Sequence, residues 1–75
     1  MTTPDVVKAI ALILMYGDIT ESEMRYEFTE NGLGHVNANY LLMMGYLRQV
    51  GRKANKWENI VSVYQITEKG KDLLR

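Results

Sequence analysis

The sequence predicts a mainly helical α+β domain, built from three core helices, a small β-hairpin and a short closing helix. Three observations carry this reading. Thr20-Glu21-Ser22-Glu23 has the form of a capping box, and Asn31-Gly32 closes the helix it opens. Val36, Tyr40, Met43, Leu47 and Val50 recur at helical spacing ahead of Gly51. Ile60 to Ile66 is β-branched and aromatic enough to be a strand.

The first helix starts at Thr3-Pro4-Asp5. Thr3 can cap, Pro4 suits a first helical position that needs no N–H, and Asp5 sits at the positive end of the dipole. Val7, Ile10, Ala11 and Leu14 are its expected core stripe, and Gly17-Asp18 ends it. In the second helix Ile19 and Met24 hold the positions of a hydrophobic staple, and Met24 and Phe28 face inward. After a turn at Leu33-Gly34, a longer third helix is expected from about His35 to Val50, stopped by Gly51. The first hairpin strand, near Arg52 to Trp57, is poorly marked. Thr67 then caps a final helix toward Arg75, which Gly70 weakens.

At 75 residues the chain is expected to form one domain spanning 1–75, with a core small enough that a partner or a second copy would add useful stability. Hydrophobic residues at 47% and charged residues at 24% argue against disorder. The absence of cysteine excludes disulfides, thiolate metal sites and thiol catalysis. A lone histidine offers no zinc ligand set and no oriented general base, so neither metal, cofactor nor enzymatic activity is expected. The apolar run Val6 to Tyr16 is too short to span a bilayer and lacks the flanks of a secretion signal, so a soluble cytoplasmic protein is expected. Net charge is zero but divided. Residues 1–47 carry two basic and six acidic side chains, and residues 48–75 carry seven basic and three acidic.

Two stretches resemble a known architecture. Asn39-Tyr40-Leu41-Leu42-Met43-Met44-Gly45-Tyr46-Leu47-Arg48-Gln49-Val50-Gly51 is similar to the recognition helix of PadR- and MarR-like and small archaeal winged-helix regulators. Tyr64-Gln65-Ile66-Thr67-Glu68-Lys69-Gly70-Lys71-Asp72-Leu73-Leu74 resembles the wing exit of the same families. The resemblance implies a winged helix-turn-helix, with a three-helix core, a wing and a short C-terminal helix, acting as a DNA-binding transcription regulator. Tyr64 and Ile66 should share one face of the wing strand and cover the helices. The chain departs from the pattern where Arg52-Lys53 follows Gly51, and where the third helix begins without Arg or Lys.

On double-stranded DNA, His35, Asn37 and Asn39 would lie at base edges, where asparagine can pair bidentately with adenine. Asparagine equally serves as a cap or turn residue. Arg48, Arg52, Lys53 and Lys56 carry four positive charges in nine residues and would contact phosphates from the wing, although such a run also suits a solvated hairpin. Apolar residues beyond the expected stripes, Leu12 and Met15 on the first helix with Leu42 and Tyr46 on the third, suggest a homodimer or protein partner, unless the closing helix and wing cover them. Trp57 near the wing tip either packs on the sheet or anchors a partner. Against DNA stands the second helix, where Glu21, Glu23, Glu27 and Glu30 would repel phosphates. The alternative is a winged-helix protein-interaction module, such as an adaptor or a mobile-element inhibitor, that does not bind DNA.

Overall fold

A computed structural model describes residues 4–75. The expected cap at Thr3 lies outside the described residues. Four helices and a three-stranded antiparallel sheet follow in the order α1 (Pro4–Tyr16), β1 (Ile19–Thr20), α2 (Glu21–Glu30), α3 (Ala38–Met43), β2 (Leu47–Ala54), β3 (Ile60–Ile66) and α4 (Glu68–Asp72). The chain is thus a small α+β domain.

Local chemistry accounts for α2. The Thr20 hydroxyl accepts from the Glu23 N–H (3.1 Å), and the Glu23 carboxylate accepts from the Thr20 N–H (3.0 Å), completing the capping box. Such a cap contributes about 1 kcal/mol. Ile19 and Met24 are both buried, as a staple requires. At the other end Gly32 adopts φ +71°, the Leu33 N–H reaches back to Phe28 C=O, and the Gly32 N–H bonds Thr29 C=O. That is a Schellman motif, and its apolar pair, Phe28 and Leu33, is buried.

The third helix is shorter at both ends than its spacing predicts, beginning at Ala38 rather than near His35 because Asn37, in extended backbone, caps it. It ends at Met43 through a second Schellman motif, with Gly45 at φ +77°, Gly45 N–H to Leu42 C=O (3.1 Å) and Tyr46 N–H to Leu41 C=O (3.0 Å). Leu41 and Tyr46 supply the buried apolar contact. The chain then turns into β2, so Leu47 to Val50 are strand and Gly51 is no helix stop. Gly51 lies beside a bulge at Val50, the residue left over where the register shifts between Gln49 and Gly51. The hairpin's first strand therefore begins five residues before the expected Arg52. Of the expected stripe only Leu47 is fully buried, and it packs from a strand; Tyr40 and Val50 are exposed and Met43 is 86% exposed.

β3 takes the central place in the sheet order β1-β3-β2. The two-residue β1, which no pattern in the sequence announces, pairs Ile19 with Tyr64 and Thr20 with Val63. β2 pairs along the rest of the hairpin from Leu47↔Ile66 to Ala54↔Ile60. Tyr64 and Ile66 face the helices and are buried, as their spacing predicts.

The core comprises Val6, Ala9, Ile10, Ile13, Ile19, Met24, Phe28, Leu33, Leu41, Tyr46, Leu47, Tyr64 and Ile66. On α1 the buried stripe is thus Val6, Ala9, Ile10 and Ile13 rather than Val7, Ile10, Ala11 and Leu14. A helix this uniformly apolar satisfies helical spacing on more than one face, and the sheet decides which face is covered.

α4 closes the domain at the corner between α3 and β2. The Thr67 hydroxyl accepts from the Gly70 N–H (3.1 Å) and donates to Gly45 C=O (2.5 Å), while the Thr67 N–H donates to Tyr46 C=O (3.0 Å). Gly70 is buried against that same carbonyl. Gly70 therefore permits close approach of α4 to the corner, a role its low helix propensity conceals.

Candidate functional site

The β2–β3 hairpin stands off the core. Every β2 residue after Leu47 is exposed, although alternate residues point to opposite faces. Its turn is built by Asn55, whose N–H donates to Asn59 C=O (2.8 Å) and whose C=O accepts from the Glu58 N–H (2.9 Å). The Asn55 side-chain oxygen also accepts from the N–H groups of Trp57 and Asn59. Lys56 and Trp57 occupy the centre of this turn, and Glu58 follows with φ +64°. Lys56 Nζ lies 4.4 Å from the centre of the Trp57 ring, a cation–π contact at an exposed site.

The four basic residues expected to meet phosphate are all exposed on this hairpin or at its base. Arg48 differs from the others. Its guanidinium donates to Gln65 Oε1 (3.2 Å), and Gln65 donates in turn to the Asp18 carboxylate, so it is tied to the sheet base and linked to Asp18 through Gln65. The ion pairs among the described residues are Arg25–Glu21, His35–Asp5, Lys71–Glu68 and Arg75–Asp72. Arg52, Lys53 and Lys56 enter none of them.

The residues expected at base edges serve three different ends. His35 Nε2 lies 2.7 Å from Asp5 Oδ2 and ties the α2–α3 loop to the start of α1. Asn37 is the N-cap of α3, its side chain accepting from the Asn39 N–H (2.8 Å). Asn39 is exposed on the first turn of α3. A groove of about 460 Å³ between α2 and the start of α3 brings His35, Asn37 and Asn39 together with Arg25 and Glu21.

The surface expected to pair with a partner is partly taken up within the chain. Tyr46 is 6% exposed, covered by α4, with Lys69 Nζ 5.5 Å from its ring centre. Leu12 and Leu42 are half-buried against the core. Met15 at 84% and Trp57 at 67% are the two that remain exposed, which excludes sheet packing as the role of Trp57.

Sequence reasoning missed a second cleft, of about 400 Å³, between the hairpin and the α1–α2 corner. Tyr16, Tyr26 and Trp57 line it, together with Lys53, Lys56 and Glu23. Tyr26 is 62% exposed and Tyr16 is also exposed. The Tyr16 hydroxyl donates to Glu27 Oε1 (3.0 Å), and this bond to a carboxylate, helped by partial desolvation and by the Glu27 charge, pushes the phenol above its ordinary pKa. Tyr26 follows no core spacing on α2, which is the one signal that could have marked it.

Three of the four α2 glutamates hold structural partners: Glu21 with Arg25, Glu23 in the capping box, and Glu27 with Tyr16 and Asn31. Among the described residues no helix is long and apolar enough to cross a membrane, and no group of three acidic or histidine side chains is placed to hold a metal ion. No family model, no curated protein and no solved structure matches this chain.

Proposed function

We propose that this chain is a winged helix-turn-helix domain that binds double-stranded DNA as a regulator of transcription, with the β2–β3 hairpin as its wing. The element order and the β1-β3-β2 sheet are compatible with that architecture. The observation that carries the reading is the projecting hairpin, which presents Arg52, Lys53 and Lys56 to solvent outside any ion pair. Cations so placed release counterions from duplex phosphate without first breaking an internal ion pair. Asn39, on the first turn of α3, is the residue proposed to read a base, since Asn37 is committed to its cap and His35 to Asp5. A two-turn α3 with no charge reads little sequence, so affinity in this proposal comes mostly from phosphate contacts. With Tyr46 buried, the proposal is of one protomer on one site and does not call on a dimer.

The test is duplex binding at two salt concentrations. The proposal expects an affinity that falls steeply with salt, and expects the Arg52→Ala, Lys53→Ala, Lys56→Ala triple variant to flatten log K against log salt by about three units of slope. An intact protein with no salt-dependent duplex affinity at low ionic strength would end this reading. The exposed Tyr26 on an acidic α2 favours the second reading, a winged-helix module that binds another protein. Under that reading duplex binding is absent and Tyr26→Ala disrupts a protein complex.

A further inference from the structure

We infer that the cleft between the hairpin and the α1–α2 corner binds unpaired nucleobases, so that the domain holds single-stranded nucleic acid there in addition to duplex on the wing. The inference shares the basic hairpin with the proposed function but does not depend on duplex binding.

The cleft combines two properties. Three exposed aromatic side chains, Tyr16, Tyr26 and Trp57, line one depression of about 400 Å³. Two cations, Lys53 and Lys56, stand on its hairpin wall against one carboxylate, Glu23, whose Oε1 already accepts the Thr20 N–H. The lining therefore has a net positive charge. An occupant that complements it carries flat π-surfaces and anionic groups in alternation, which is the chemistry of an unpaired strand. Base stacking on aromatic rings is available to every base, because each has a π-face. A duplex cannot use the same cleft, since its bases are stacked on one another and only their edges are offered.

The placement of Trp57 supports the same occupant. A tryptophan at the centre of a five-residue hairpin connection, Asn55 to Asn59, gains nothing from the core, because it stays 67% exposed. Its ring is instead paired with Lys56 Nζ at 4.4 Å, so a stacking surface and a phosphate partner arrive together on adjacent residues. Tyr26 presents a second ring from the opposite wall, carried on the rigid first turns of α2. Phosphate between two stacked bases would then fall within reach of Lys53 or Lys56.

Trp57 is the sole tryptophan, so its emission reads the cleft directly. Titrating the full chain with a short oligo(dT) should quench that emission with an affinity that falls as salt rises. Tyr26→Ala should weaken oligo(dT) binding by roughly 5- to 100-fold, the usual worth of one stacked base, and Tyr26→Phe should retain it. Duplex affinity, followed separately by anisotropy of a labelled duplex, should not change with Tyr26→Ala. Oligo(dT) binding that leaves Trp57 emission unaltered, or that survives Tyr26→Ala at full strength, would overturn the inference. Duplex binding without oligo(dT) binding would also overturn it while leaving the proposed function intact. Oligo(dT) binding without duplex binding would do the reverse.

Discussion

Gly70 offers the sharpest test of how the domain is closed. A methyl group at this position would lie 2.5 Å from Tyr46 C=O and 2.8 Å from Ile66 Cγ2. Carbon atoms settle at about 3.5–4.0 Å, so the Ile66 contact alone is about an ångström too short. Ile66 is buried and cannot swing aside, and the Tyr46 oxygen belongs to backbone that also accepts the Thr67 N–H. The helix must therefore retreat, stretching the 2.5 Å bond from Thr67 Oγ1 to Gly45 C=O and the 3.0 Å bond from Thr67 N–H. Overpacking of this kind costs about 1–3 kcal/mol. Weakening two hydrogen bonds adds about 1–2 kcal/mol. Against this, Ala in place of Gly in a helix gains up to about 1 kcal/mol.

The expected balance for Gly70→Ala is a loss of about 1–5 kcal/mol, a large share of the roughly 4–11 kcal/mol available to a domain of this size. Urea titration should show a lower midpoint at unchanged slope, and thermal unfolding should fall by about 4–8 °C for each kcal/mol lost. The variant distinguishes two roles for the glycine. If α4 were merely a frayed surface helix, Ala would raise the midpoint. A midpoint equal to or above that of the parent chain would refute the close approach of α4 to the Tyr46 carbonyl.

Three further outcomes follow from particular residues. Gly45→Ala should cost about 1–2 kcal/mol, because φ +77° is strained for any residue with a Cβ, whereas Gly51→Ala meets nothing within 4 Å and should be neutral or slightly stabilising. Paired urea titrations check this, and the opposite ranking would restore the long third helix ended by Gly51. Glu58→Gly should relieve the positive φ of +64° at the hairpin turn and stabilise by about 0.5–1 kcal/mol; if duplex is the ligand, loss of this acid beside Lys56 should also tighten binding, and a looser or less stable variant would contradict both points. Tyr16 should titrate above the ordinary tyrosine range, because its hydrogen bond to Glu27 favours the neutral phenol in the folded state. The stabilisation is then complete below the unfolded-state value near 10 and is lost as pH rises through the higher folded value. A spectrophotometric titration of Tyr16→Phe against the parent should be missing a step above that range, and a missing step at or below it would refute the bond.

How much of the fold was legible depended on the range of the interaction concerned. The capping box at Thr20, the staple of Ile19 with Met24, the stop at Gly32 and the cap at Thr67 each involve residues within about five positions of one another, so the pattern in the chain is the interaction itself. β3 was legible for a related reason, since a run of β-branched and aromatic residues suits a pleated surface wherever it pairs. The candidate site was legible only in its charge. Arg52, Lys53 and Lys56 announce themselves as a cluster, whereas the cleft joins Tyr16, Tyr26 and Trp57 from three separate elements, and nothing in the spacing of those residues brings them together.

By itself, then, the sequence determined the starts of the second and fourth helices, the central strand and the basic stretch, because these rest on contacts between near neighbours and on composition. Only the tertiary structure decided where the third helix ends. Tyr46 to Val50 can continue a helix as well as enter a strand, and two glycines, six residues apart, can each stop it. Pairing of Leu47 with Ile66, burial of Tyr46 under α4, and the Schellman bonds at Gly45 settle the matter in favour of the strand. The same long-range packing chose the buried face of α1 among several that its apolar run allowed. It also drew Tyr46 fully and Leu12 and Leu42 partly into the core, and left only Met15 and Trp57 exposed of the residues that spacing had suggested for a partner.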